Sequence, residues 1–143
     1  MASPSASVQH QLSSEFLPQK GSIDRVHLAR QCLGDEGLEQ EVLRLFDTTI
    51  KTYFARLQWA EDAAGIRLAL HTLKGASSGV GAWTIADLAH AAEQELGDAD
   101  EIGAERLADL AMAIEEVVTF VAEILVDEIP QDFSATQAVI ASV

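Results

Sequence analysis

Apolar residues along this chain recur every three to four positions, the period of helices that turn one face inward. The stretch from Ile23 to Leu33 carries that period, with Ser22 placed to cap it and Gly34 to stop it. Asp35 then caps a long helix from about Glu36 to Ala60. Its Leu38, Val42, Leu45, Phe46, Thr49, Tyr53 and Leu57 keep helical spacing. A third helix is predicted from Asp62 to Ser78, with Gly79 and Gly81 as its stop, and a fourth from Trp83 to Leu96, stopped by Gly97. The fifth starts at Asp100 or just after it and covers Ile102 to Glu128, ending before Pro130. Long alternating β-branched runs are absent. The pattern predicts an all-α fold: an antiparallel up-down four-helix bundle with an additional N-terminal helix.

With 143 residues the chain is long enough for one domain with a real core. Residues 1–20, rich in Ser, Gln and Pro, read as a flexible N-terminal tail with a short helix near Leu12–Phe16. The bundle takes residues 21–129, and residues 130–143 form a mildly apolar C-terminal tail without a clear period.

Charge narrows the function classes. Twenty-three acidic residues against nine basic ones give a formal net charge of −14. That excludes nucleic acid, whose binders need a basic stripe, and an acidic membrane surface would repel the chain. No apolar run approaches the roughly 18 residues a membrane span needs. The N-terminus lacks the basic and apolar regions of a secretory signal, and the single Cys32 fits a reducing compartment. These features describe a soluble, cytoplasmic protein, read as a monomer.

The chemistry concentrates between Leu70 and Ala82, LHTLKGASSGVGA. At 100° per residue, Ala64, Arg67, Leu68, Lys74, Gly75 and Ser78 lie within about 60° of His71. Ile66, Ala69, Leu70, Leu73, Ala76, Ser77 and Val80 lie on the opposite, apolar side, which must face the core. His71 is therefore predicted to point to solvent. A solvated imidazole is mostly neutral at pH 7 and keeps one nitrogen lone pair free to attack phosphorus. Lys74 one turn on, and Arg67 one turn back, are placed to offset the nearly two negative charges of a bound phosphoryl group. Gly75 and Gly79 leave a shallow surface for a partner's active site, and Leu68 offers an apolar contact beside it.

Two patterns sharpen this reading. From Ala63 to Ala86 there is no Asp or Glu, where the chain's average would place about four. A glycine at mid-helix, as at Gly75, costs about 1 kcal/mol against alanine and so needs a reason. The glycines do not make a nucleotide loop, because Lys74 precedes them and no strand leads into them. His10, His27 and His90 are weaker candidates; His90 has Asp87 and Glu93 at helical spacing, yet a metal would need three converging ligands. Trp59 and Trp83 read as packing at the bundle ends.

The segment His71-Thr72-Leu73-Lys74-Gly75-Ala76-Ser77-Ser78-Gly79-Val80-Gly81-Ala82 resembles the signature of histidine-containing phosphotransfer (HPt) domains, the intermediates of multistep phosphorelays. The match includes His71, Lys74, Gly75, the small Ser77 and Gly81, and extends to Leu88 and Glu95 in the next helix. It spans roughly Ser22 to Glu128. The resemblance implies an up-down bundle in which His71 accepts a phosphoryl group from a receiver-domain aspartate and passes it to another. It implies that Lys74 neutralises the phosphate, Gly75 admits the receiver and Gly81 closes the helix. Gly79 departs from relatives that often carry a larger polar residue there, so Ser78 or solvent would replace that hydrogen bond. Arg67, Leu68, Gly75, Ser78 and Gly79 make up the expected partner face. The implied partners are response-regulator receiver domains and a hybrid sensor histidine kinase. No cofactor is expected on the chain itself, Mg²⁺ coming with the receiver, and the chain is expected not to be an enzyme. The rival readings are a non-catalytic helical adaptor using the same face and a metal- or ligand-binding bundle.

Overall fold

The computed structural model describes residues 22–127. The two tails, with the short helix near Leu12–Phe16, lie outside the described residues. Among the described residues there are five helices: α1 (Arg25–Gln31), α2 (Glu36–Trp59), α3 (Ala63–Val80), α4 (Trp83–Ala99) and α5 (Ala104–Asp127). No strand occurs among the described residues. α2 packs on α3, α3 on α4, α4 on α5, and α5 back on α2, while α3 and α5 do not touch. Connections of two to four residues leave each helix no room to do anything but reverse, and the result is the expected up-down bundle. The short α1 lies across one end, against α2 and α3.

The helix starts follow from side-chain capping. Asp35 accepts a hydrogen bond from the Leu38 amide and Asp62 from the Gly65 amide, filling donors that the first turn leaves open. α1 departs from expectation: its cap is Asp24, not Ser22, and the helix is two residues shorter at each end than predicted. Asp24 does more than cap. One carboxylate oxygen accepts from the His27 amide and the other from the Trp83 indole N–H, so it ties α1 to the start of α4.

The helix ends follow from left-handed residues. Gly81 adopts φ +84° and closes α3, as expected, whereas Gly79 lies inside the helix. The Asp24 amide donates to the Gly81 carbonyl at 2.9 Å, and a β-carbon at Gly81 would stand 2.8 Å from the Asp24 β-carbon. α4 runs through Gly97, contrary to expectation, and stops at Asp100 with φ +65°. Asp100 therefore closes the fourth helix, and the fifth begins four residues later. An aspartate tolerates the left-handed region better than most residues, which is why it can substitute for glycine here. Glu95 secures this turn by accepting from the Gly103 amide and from Arg106. The Gly103 amide, followed by Arg106, holds the Glu95 carboxyl below its ordinary range.

The core is a continuous cluster that includes Leu28, Leu43, Phe46, Ile50, Leu70, Leu73, Ile85, Leu96, Leu110, Val117 and Val121. Cys32 belongs to it, and burial pushes its thiol pKa up. On α2 the inward stripe is Glu39, Leu43, Phe46, Ile50 and Leu57. This corrects the predicted one, since Leu38 and Leu45 face solvent. Two apolar stripes run side by side on α2, and the contacts with both α3 and α5 select the one between them. Trp83 packs on His27 with ring centroids 4.9 Å apart, but Trp59 is 81% exposed and does not pack.

Three outcomes follow for stability. Gly81→Ala should lose about 1–3 kcal/mol in urea unfolding, from the left-handed backbone and the Asp24 clash. Gly97→Ala, where the added methyl meets open space, should gain up to about 1 kcal/mol. The third outcome concerns Asp24. Its pKa is held below the ordinary 3.8, first by the His27 amide and then by the Trp83 indole. A depressed folded-state pKa contributes stability above the unfolded value and loses it as pH falls through the folded value. The stability difference between wild type and Asp24→Asn should therefore shrink below about pH 4, as read by denaturation across pH.

Candidate functional site

α3 turns Ala69, Leu70, Leu73, Ser77 and Val80 into the core. Leu70 and Leu73 have no exposed surface at all. They flank His71 on the helix, so its backbone is held on two sides by packed side chains. The predicted orientation follows: the His71 side chain is 75% exposed. Arg67, Leu68, Gly75 and Gly79 are exposed on the same face, while Lys74 and Ser78 are half-buried. A β-carbon at Gly75 or Gly79 would meet nothing within 4 Å. The bundle itself does not require these glycines to be small, and the surface they leave is open.

Ser78 contributes differently from expectation. Its carbonyl oxygen accepts a hydrogen bond from His27 Nε2 at 3.1 Å, so it also joins α3 to α1. Ser77, one residue earlier, is completely buried, and its hydroxyl has no hydrogen-bond partner among the described residues.

The charge environment needs a correction as well. The α3 segment is free of carboxylates, but α4 brings one to it. Glu93 Oε1 lies 2.7 Å from Lys74 Nζ, and Glu93 Oε2 lies 4.0 Å from His71 Nδ1. His90 Nδ1 lies 3.9 Å from the same carboxylate. Lys74 is therefore an ion-pair partner of Glu93 and not a free cation beside the histidine. The pair is only partly shielded, with Lys74 at 32% and Glu93 at 19% side-chain exposure. Sequence reasoning missed Glu93, although the signal was present. Antiparallel helices hinged at Gly81–Ala82 set His71 level with Ala92 and Lys74 level with Ala89. His90 and Glu93 are the next residues round on α4.

On the other side of His71 the surface is apolar. Leu68 is 59% exposed. It borders a shallow recess of about 170 Å³ lined also by Tyr53, Arg56, Ala60, Gly65 and Ala69. The Arg56 guanidinium sits 4.7 Å over the Tyr53 ring, which fixes a cation at the edge of this recess.

The arrangement suits a nucleophile more than a metal. Among the described residues no group of three or more His, Cys, Asp or Glu is placed to hold a metal ion. None of the described helices is long and apolar enough to cross a membrane. The Glu93 carboxylate lies on the Nδ1 side of the ring. The proton of neutral His71 is expected on Nδ1 in a larger share of molecules than in Glu93→Gln. Imidazole ¹⁵N chemical shifts measure that share, and equal shares in the two proteins would remove Glu93 from this role.

A family model described as the Hpt domain matches residues 36–139. Among solved structures, the HPT domain of an Hpt sensor hybrid histidine kinase from Shewanella superposes with a TM-score of 0.66. The two are 20% identical, and the match covers 75% of this chain and 96% of that one. No curated protein matches the sequence at a significant level.

Proposed function

This chain belongs to the Hpt domain family, whose members carry out histidine phosphotransfer in phosphorelays, and on that premise we propose that His71 is its phosphoacceptor. The observation that carries this reading is one exposed imidazole on a helix fixed by Leu70 and Leu73. A Lys74–Glu93 pair lies on one side of it and open glycine surface on the other. The donor and acceptor are receiver-domain aspartates, and a hybrid sensor kinase is the source of the group. The chain works as a cytoplasmic monomer without a cofactor of its own, the receiver bringing Mg²⁺.

The chemistry is an in-line displacement. The lone pair on His71 Nε2 attacks the phosphorus of an aspartyl phosphate, the N–P bond forms, and the P–O bond to the aspartate breaks. The aspartate leaves as a carboxylate with the bonding pair. The ring keeps its Nδ1 proton and takes on positive charge, which the Glu93 carboxylate opposes from 4.0 Å. The phosphoryl group brings nearly two negative charges, and Lys74 is one helical turn away to meet them. Exchanging Glu93 for the phosphoryl oxygens keeps the Lys74 charge compensated before and after transfer. Such transfer depends mainly on positioning and charge neutralisation, which this chain offers through a rigid helix and few reactive groups.

Docking uses the surface around the ring. Gly75 and Gly79 admit the receiver's active-site loops, Leu68 and its recess take an apolar side chain, and Arg67 faces the receiver's acidic pocket. Ser78, half-buried, contributes at the edge.

Incubation with a phosphorylated receiver, followed by mass spectrometry at neutral and acid pH, tests the assignment. One acid-labile phosphoryl group should appear on the wild type and none on His71→Gln at unchanged helicity. Acceptance surviving in His71→Gln would overturn it. Lys74→Ala should slow transfer about tenfold, equivalent to about 1.4 kcal/mol of transition-state stabilisation.

A further inference from the structure

The α2–α3 hairpin carries a basic and aromatic face in a chain that is otherwise strongly acidic. From Thr48 to Ala86 there are four basic residues and two acidic ones, Glu61 and Asp62. The chain's average would place about six acids in that stretch. The Asp62 carboxylate is engaged by the Gly65 amide. Arg44, Lys51, Lys74 and Arg106 each sit against a carboxylate of the bundle. Arg56 and Arg67 are exposed and have no carboxylate partner among the described residues.

An aromatic residue stands beside these free cations. Trp59, the last residue of α2, is 81% exposed. It follows Arg56 by three residues, so the two are neighbours on the helix surface. Arg56 is itself held over the Tyr53 ring at 4.7 Å, so it loses less freedom when it pairs with a carboxylate. Tryptophan and arginine are the side chains that most often carry the binding energy of a protein interface.

With His71 read as the phosphoacceptor, we propose that Arg56 and Trp59 form a second docking point for the receiver. This point takes an apolar side chain that has a carboxylate beside it, and so selects among receivers. An aspartyl phosphate is chemically the same in every receiver, so the reacting atoms cannot tell one from another. Discrimination has to come from contacts away from them. A receiver with a lysine or arginine facing Arg56 is repelled, and one with a carboxylate is drawn in.

The distances suit this role. The turn at Ala60–Asp62 reverses the chain and sets Trp59 level with Ala63. That is eight residues, or about 12 Å, along α3 from His71. A standard interface covers about 800 Å² of each partner, a disc of about 16 Å radius. A receiver centred on His71 therefore reaches Trp59, with Leu68 and its recess between the two points.

Other occupants fit less well. A second copy docking through the same face would set Arg56 and Arg67 against their own counterparts. Nucleic acid would meet two free guanidiniums here and a net charge of −14 around them.

Calorimetric titration of a panel of purified receiver domains into the full-length protein reads the docking point, and phosphoryl transfer to His71 reads the chemistry. For receivers that bind, Trp59→Ala should raise the dissociation constant about tenfold and Arg56→Glu at least about fivefold, at unchanged helicity. Added salt should weaken wild-type binding and affect Arg56→Gln less. Equal dissociation constants in the wild type and both variants overturn the docking point while leaving His71 as acceptor. Weaker binding in the variants, with no transfer to wild-type His71, overturns the phosphoacceptor reading and leaves the docking point standing. A panel from which no receiver binds overturns both. Self-association of the wild type in sedimentation, abolished by Trp59→Ala, also overturns the proposal and assigns the face to a second copy.

Discussion

The geometry of the site rests on the burial of Leu70 and Leu73. A helix cannot bury these two residues, with Ser77 and Val80 further along, without turning His71 outward. Each fully buried leucine stabilises the fold by about 1.5–3 kcal/mol relative to its exposed state. The rotation of α3 about its own axis is thus set by several kcal/mol of packing. On the proposed reading, a solvent-facing imidazole on such an element needs no loop to settle before it reacts. The ordering entropy is lost once, in folding, and not again at each encounter.

Glu93 gives this rigid ring its electrical setting. An exposed lysine alone beside the histidine would attract any anion. Paired with Glu93 at 2.7 Å, Lys74 presents a neutralised surface. On the proposed reading, the carboxylate has a second role after transfer, because it faces the ring nitrogen that holds the proton. His90 Nδ1, 3.9 Å from the same carboxylate, adds a third basic group beside it. The acid-free stretch of α3 looks different once α4 is in place. The helix carries no carboxylate of its own because the neighbouring helix delivers one at a defined point.

Much of this architecture is legible in the sequence because helices announce themselves locally. Asp35, Asp62 and Gly81 are identified by residue type, and the outward face of α3 follows from spacing alone. The departures have a common physical origin: they are decided by neighbouring elements. Ser22 and Asp24 are both good caps, and the Trp83 indole, far along the chain, favours the second. Leu45 and Leu43 are equally apolar, and only the position of α5 shows which is buried. Gly97 resembles a stop signal, but the hydrogen bonds of Glu95 to Gly103 and Arg106 place the turn three residues later. Glu93 belongs to the site through an antiparallel helix pairing that no single-helix pattern contains. The fold class needs only local rules, whereas the electrostatics of the site need the hairpin.

On the proposed reading, the arrangement of α2 to α5 in a ring, with α3 touching only its two neighbours in that ring and α1, leaves the accepting imidazole on one face. Two partners that need the same imidazole cannot be seated together. On that reading a relay through this protein is a queue: the donor must leave before the acceptor can enter. Residence time therefore matters more than affinity, and a partner that lingers after unloading acts as an inhibitor of its successor. Signal throughput would be governed by departure, and abundance of either receiver would tune the traffic through competition for a single berth.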